Sequence, residues 1–256
     1  MKGLLYKDFY SLKKELRTLL VVTTGVIIIA ILLLLSMKHG NLAGGMVEMQ
    51  AESRFSREEL EEMLQLPIMI MLVIPIAFMA NIIECFRADE KAGFYHVLHS
   101  MPLSVYQKIG ARYLTCMLFA GISLSGAAVA ALLISFSTDT MTFGEMFGCC
   151  MTFCSFFLLY MSIIMPFLYL FSAKVVERLQ IVIFVVGLIV VEGIAAMNIF
   201  SLPEEEIENL VKEMMEKFID FLKNGYFKLF LLAMVGFLIS YVVSVKIQKS
   251  RKGKRA

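Results

Sequence analysis

One carboxylate stands where the surrounding sequence is almost entirely apolar. Glu192 lies just past the middle of residues 179–200, the only long apolar segment that carries a formal charge away from its ends. A charged carboxylate at that depth in a bilayer costs about 2.5–3.5 kcal/mol on insertion scales, so Glu192 should face protein or water. We expect it either to line a translocation path or dimer interface, or to be a protonated or hydrogen-bonded packing residue with Asn81 or Asn198 as a candidate partner.

Two histidines could in principle bind a metal ion. His96 and His99 lie three residues apart and would share one face of a helix, but a metal site needs a third ligand, for which Asp89 or Glu90 is available. The alternative, which we favour, is that both are ordinary polar positions on a docking surface. All three histidines lie outside the long apolar segments, and no HExxH motif occurs, so the pattern disfavours an intramembrane protease.

Motifs for nucleotide binding and for structural metals or disulfides are missing from the sequence. GxxxxGK[ST] does not occur, so if ATP powers this protein, a separate subunit must bind and hydrolyse it. The five cysteines include no CxxC pair and lie in or beside apolar blocks, which indicates free thiols used as small apolar side chains. We therefore predict no catalytic residue, no cofactor and no metal in this chain.

The elements that carry these residues are long apolar blocks. The chain has 256 residues, of which 59% are hydrophobic and 18% charged, and the apolar residues are gathered into segments separated by charged stretches. A bilayer imposes that segregation, and a spanning helix needs about 20 apolar residues. The sequence predicts an all-α membrane protein with a single transmembrane domain and six spans, at residues 19–37, 66–83, 113–136, 147–171, 179–200 and 227–245.

The distribution of basic residues predicts the orientation. Seventeen of the 24 lysines and arginines lie in the N-terminal segment, the loops 84–112 and 172–178, and the basic tail 246–256. Basic residues concentrate on the cytoplasmic side of membrane proteins. We therefore expect both termini to be cytoplasmic, in a multi-pass protein of the cell membrane.

Two segments outside the spans show amphipathic patterns. In residues 1–18, Leu5, Phe9 and Leu12 begin an apolar face that has Lys7 on its opposite side, which predicts a helix lying in the cytoplasmic interface. The alternative is a simple extension of the first span. Residues 201–226 begin with a capping-box pattern and predict an extracellular amphipathic helix, which either covers an exit path or packs on the ends of the spans.

The cytoplasmic loop 84–112 is the most informative connection. Its first part has helical character but is too polar to span a membrane, and Pro102 interrupts it. Ser104 and Gln107 then form a capping box that opens the next span. A short helix held between two spans can transmit force from a soluble partner, although an ordinary connecting loop would give the same pattern.

Three features of the sequence resemble a known family. The opening MKGLLYKDFYSLKKEL looks like a lead helix, and the plan of spans fits. Residues 89–114 (DEKAGFYHVLHSMPLSVYQKIGARYL) resemble a loop motif of the form acidic-Glu-Lys-x-Gly … Ser-x-Pro-x-Ser … Lys-Tyr-Leu. Together they resemble the permease subunits of ABC transporters, specifically the six-span ABC-2 exporter type. In its length and overall character the chain is also similar to the short permeases that export amphipathic peptides, such as phenol-soluble modulin exporters of Gram-positive bacteria. Arg112 departs from the pattern, since a lysine is more usual there.

The resemblance implies a function for the chain and for its loop. It implies that the chain is the permease subunit of an ATP-driven exporter. The exported substrate would be amphipathic or hydrophobic, and a peptide toxin or antimicrobial peptide is favoured. Its partners would be membrane lipid, a second copy of the chain and two copies of a separate ABC ATPase. The alternative from the residues alone is an ion-coupled secondary transporter with Glu192 as the coupling site, although no internal repeat supports it. The resemblance places the ATPase-coupling residues at Asp89, Glu90, Lys91, Gly93, Phe94 and Pro102.

Overall fold

Helices account for nearly all of the residues that the structure describes. The structure is a computed structural model, and it describes residues 2–39, 68–94, 97–98, 102–137, 142–199 and 225–253. No strand occurs within these ranges. The helices are α1 (Lys2–Ser11), α2 (Lys13–His39), α3 (68–77), α4 (Ile83–Lys91), α5 (Val105–Ser137), α6 (Phe143–Leu170), α7 (Ala173–Ile199) and α8 (Tyr226–Gly253), and a 3₁₀ segment at Phe78–Ile82 joins α3 directly to α4.

Five stretches of the described chain are long and apolar enough to cross a membrane. They are Lys13–Leu33, Ile68–Lys91, Val105–Phe136, Phe143–Leu170 and Tyr226–Ser250. The remaining predicted span, 179–200, coincides with α7, whose side chains from residue 190 onward lie outside the description. The fold is therefore that of an all-α, multi-pass membrane protein, as the sequence predicts.

The core of the fold is formed by α5, α6 and α8. The most extensive contact in the described part of the chain is between α6 and α8, and α5 packs against both of them and against α2. Small residues lie at these contacts: a Cβ on Gly236 of α8 would lie 3.4 Å from the Leu159 side chain of α6, and one on Gly126 of α5 would lie 3.6 Å from Thr23, both ordinary van der Waals distances. Small residues at helix contacts are typical of membrane bundles, where van der Waals packing drives association.

Buried polar contacts also hold the bundle together. The Tyr113 hydroxyl of α5 lies 2.7 Å from Ser240 Oγ and 2.8 Å from Ser244 Oγ of α8. The five cysteines are buried free thiols, as predicted.

Large apolar side chains remain exposed along the outer faces of the helices, for example Ile163 at 61% and Ile181 at 63%. In a membrane protein these faces contact lipid instead of water.

The N-terminal segment is helical, and part of its predicted apolar face is buried: Leu12 and Leu19 are buried, and Lys14 on the predicted opposite face is exposed. α1 ends at Ser11, and α2 begins at Lys13 and continues through the first predicted span. The buried positions of α1 are Leu4 and Asp8, whereas Leu5 and Phe9 are half-buried. Lys7, predicted to lie on the opposite face, is also half-buried. Within α1 the buried side is therefore shifted from the predicted face toward Leu4 and Asp8, because Asp8 has partners on other helices.

The start of α5 has the capping box that the sequence predicts. The Ser104 backbone N–H donates to Gln107 Oε1 at 3.1 Å, and the Gln107 N–H donates to Ser104 Oγ at 3.2 Å, which confirms the predicted capping box. A second capping box, between Thr142 and Glu145 at the start of α6, was not predicted. The predicted amphipathic segment 201–226 lies outside the described residues except for its last two positions.

Candidate functional site

The predicted coupling segment is a short helix that continues from a spanning helix. α4 follows the 3₁₀ segment without a break, since Ile82 and Ile83 both have right-handed helical dihedral angles. It ends where the Gly93 N–H donates to the Glu90 carbonyl at 3.2 Å and Gly93 adopts a φ of +62°. Glycine accepts this left-handed conformation without the steric cost of a Cβ, so Gly93 sets the point at which the helix stops.

Asp89 is buried and connects three helices. Its Oδ1 accepts a hydrogen bond from Lys7 Nζ of α1 at 2.5 Å, and its Oδ2 accepts one from Arg112 of α5. The Arg112 side chain also donates to the Cys85 carbonyl at 3.4 Å. Asp89, one of the predicted coupling residues, is thus directed into the protein, where it joins α4 to α1 and α5.

Asp8 completes the same buried network from the N-terminal helix. Arg112 Nη1 lies 2.9 Å from Asp8 Oδ1, and Lys7 Nζ lies 3.2 Å from the same oxygen. Thr115 Oγ1 donates to Asp8 Oδ2 at 3.2 Å. Two carboxylates therefore face two cations, and the side chains of Asp8 and Arg112 are 2% and 9% exposed. Because removing a single partner from a buried ion pair is costly, this ionic cluster (Lys7, Asp8, Asp89 and Arg112) favours one arrangement of the three helices.

Aromatic rings cover both cations of the ionic cluster. Lys7 Nζ lies 4.1 Å from the centroid of the Phe94 ring, and the Arg112 guanidinium lies 4.9 Å from that of Phe86. These distances are within the range of cation–π attraction. Phe94, the last predicted coupling residue of this stretch, therefore contributes to holding α1 against the end of α4.

A second set of contacts joins α4 to α7. Glu90 Oε1 accepts a hydrogen bond from the Ala173 backbone N–H at 2.7 Å, at the first residue of α7. A carboxylate there satisfies an otherwise unpaired helix N–H and complements the helix dipole. Arg87 also donates to Glu177 of α7 and to Glu84 of α4. α4 is consequently attached to α1, α5 and α7 at once.

The predicted coupling residues divide into two groups. Asp89, Glu90 and Phe94 make contacts within the chain, whereas Lys91 and Gly93 are exposed at the end of α4. Pro102 is also exposed, shortly before α5 begins. The predicted coupling residues that are exposed are therefore Lys91 and Gly93 at the tip of α4 (residues 91–93) and Pro102 before α5.

Reasoning from the sequence missed Lys7, Asp8 and Arg112 as members of the site. Two signals were present: Asp8 lies midway between Leu4 and Leu12 on one face of the helix, and Arg112 directly precedes an apolar span. A charge in either position needs a buried partner. The cavity beside this cluster has a volume of about 40 Å³, which is room for water but not for cargo.

Three further residues were candidates from the sequence: Glu192, His96 and His99. The backbone at Glu192 is helical within α7, but its side chain lies outside the described part of the chain, as do His96 and His99. Asn81, one candidate partner of Glu192, instead donates to Glu15 Oε2 of α2 at 3.0 Å. Among the described residues, no group of three potential metal ligands occurs.

A comparison with known protein families agrees with the structure. The structure has long apolar helices, apolar outer faces and a short helix between two spans. The profile of the ABC-2 family transporter proteins matches residues 63–249, well over half of the chain, and the chain belongs to this family. It is the membrane permease of an ABC-type transporter, a class that works with an ABC ATPase subunit. Comparisons with curated proteins and with solved structures give no match.

Proposed function

We propose that this permease exports an amphipathic or hydrophobic substrate, with an amphipathic peptide favoured, using ATP hydrolysed by a separate subunit. The working assembly would contain two copies of the chain and two ATPases, with both chain ends in the cytoplasm. The observation that carries the proposal is the position of α4. It presents an exposed tip while its buried side is joined to three other helices.

The contacts of α4 suggest how an ATPase would move the spans. Closure of the two ATPases would push on residues 91–93, which are exposed and carry the positive charge of Lys91. Because Asp89 is bound to Lys7 and Arg112, the displacement would pass to α1 and α5. Because Glu90 is bound to the first residue of α7, it would reach the helix that carries Glu192. A rigid, hydrogen-bonded connection of this kind transmits a displacement that a flexible loop would absorb.

Transport in inverted membrane vesicles tests the proposal directly. The permease is co-expressed with a candidate ABC ATPase, and the probe is a fluorescently labelled amphipathic helical peptide. We expect ATP-dependent accumulation that is lost when the phosphate-binding lysine of the ATPase is replaced. Accumulation driven by a proton gradient without ATP would contradict the proposal and favour the ion-coupled transporter.

A charge-reversal pair tests the docking tip separately. We expect Lys91→Glu to reduce co-purification of the ATPase and peptide-stimulated ATP hydrolysis, since it places a carboxylate at the exposed end of α4. Lys14→Glu is the matched control, because Lys14 is equally exposed near the start of α2. Neither variant alters the ionic cluster, so folding should be preserved in both. Equal ATPase binding by the two variants would show that docking occurs elsewhere.

A further inference from the structure

A groove runs along the outer side of the contact between α6 and α8. Its volume is about 400 Å³, and it opens to the surface of the molecule. Leu170, the last residue of α6, and Ile247, near the end of α8, line the same groove, so the two helices run in the same direction beside it. The other lining residues are Ser162, Ile163, Pro166 and Phe167 of α6 and Gly236, Ile239, Ser240 and Val243 of α8.

The groove begins at Gly236, where α8 packs against α6. A Cβ on Gly236 would lie 3.4 Å from Leu159 Cδ2 and 3.6 Å from Ser162 Oγ, which is ordinary van der Waals contact. Further along, Ile239, Val243 and Ile247 recur every four residues and form one continuous wall. The groove is thus an elongated, mainly apolar channel that is parallel to the helices.

The position of the groove determines what kind of molecule surrounds it. It lies on segments that are long and apolar enough to span the membrane, and its walls include exposed side chains such as Ile239 at 59%. The medium against these walls is hydrocarbon. An extended acyl chain matches both the shape and the polarity of the groove.

A positive charge lies at the end of the groove where α6 and α8 reach the membrane surface. Lys246 is exposed and follows Val243 by three residues, so the two side chains are neighbours on the helix surface. A lysine close to the membrane surface attracts an anionic headgroup. The arrangement of an apolar channel with a cation at its surface end is complementary to an anionic phospholipid.

The geometry points to a specific site for one anionic phospholipid between α6 and α8, with an acyl chain in the groove and the phosphate beside Lys246. The lipid belongs to the leaflet that surrounds the last turns of these two helices. This site is separate from the ionic cluster and does not depend on the direction of transport or on the nature of the cargo.

The absence of tryptophan from the chain makes the site directly measurable. Phe167→Trp places a single fluorophore in the groove wall, and Leu114→Trp places one on α5 at a similarly exposed position near the same end of its span. Each full-length variant is reconstituted into vesicles that mix phosphatidylcholine with phosphatidylglycerol, one lipid at a time carrying brominated chains. Quenching then gives the relative affinity for the anionic lipid at each tryptophan.

We expect a preference of about fivefold for phosphatidylglycerol at Phe167→Trp, the effect of one lysine near the surface, and little preference at Leu114→Trp. Adding Lys246→Gln should remove the preference, and Lys246→Arg should retain it. Equal quenching by the two lipids at position 167, or a preference unaffected by Lys246→Gln, would overturn the assignment. Protection of position 167 from both lipids would also overturn it and would indicate a second copy of the chain in the groove. Ile163→Trp provides an independent reporter in the same wall, should Phe167→Trp fail to fold.

Discussion

Neutralising Asp8 should destabilise the permease more than any ordinary surface substitution. The Asp8→Asn side chain has nearly the same shape and can still accept from Thr115, so the main loss is the negative charge. The ionic cluster would then hold one carboxylate against two cations, in a site where Asp8 and Arg112 are buried. Removing one partner from a buried pair costs about 3–5 kcal/mol. At about 2–4 °C per kcal/mol, this corresponds to a fall in melting temperature of roughly 6–20 °C.

The chain contains its own reporter for this measurement. All five cysteines are buried free thiols, so a thiol-reactive fluorogenic dye labels them only as the protein unfolds. The purified protein is heated with the dye, and the midpoints of Asp8→Asn and of the wild type are compared. Lys13→Met is the control, since Lys13 is exposed near the same helix and its replacement should change stability by less than about 0.5 kcal/mol.

A double-mutant cycle separates loss of the ion pair from loss of packing. Combining Asp8→Asn with Arg112→Met restores charge balance between Lys7 and Asp89, so the double variant should lose about 1–3 kcal/mol less than the sum of the single losses. An Asp8→Asn protein that melts within a degree of the wild type would refute the argument. Strict additivity in the cycle would refute it as well, because independent residues show no coupling.

Three further predictions concern orientation, Glu192 and Gly93. A cysteine introduced at Glu206 should react with an impermeant reagent added outside intact cells and one at Lys91 should not; the reverse pattern would overturn the orientation. If Glu192 lines the translocation path, Glu192→Leu should insert normally but lose export, measured at matched protein levels, whereas normal export would exclude that role. Gly93→Ala should lower stability by about 1 kcal/mol because φ is +62°, and an unchanged melting temperature would show that the backbone relaxes there.

The sequence predicts the helices better than it predicts their buried polar contacts. Hydropathy and local capping signals act over a few residues, which is why the capping box at Ser104 and Gln107 is found correctly. The buried side of α1 is predicted only in part, for the opposite reason. The apolar repeat gives no role to Asp8, whose partners Arg112 and Thr115 lie on another helix, about a hundred residues later in the chain.

The same limit applies to the predicted coupling residues. The loop motif correctly draws attention to residues 89–94, but the exposure of each side chain depends on which distant helix packs against it. Asp89 and Glu90 are adjacent, yet one contacts α1 and α5 while the other binds the start of α7. Within this stretch the exposed residues are Lys91, Ala92 and Gly93. No spacing rule within the loop distinguishes these roles, because they arise from tertiary packing.

The ionic cluster also determines when α1 can dock during synthesis of the protein. Lys7 and Asp8 are synthesised well before their partners, because Asp89 follows Lys7 by 82 residues and Thr115 follows Asp8 by 107. At about 5–20 residues per second, the N-terminal helix waits roughly 5–20 s before its partners leave the ribosome. During this interval its charges must stay in contact with water or with the insertion machinery. α1 is therefore seated late, once α4 and the start of α5 have been made.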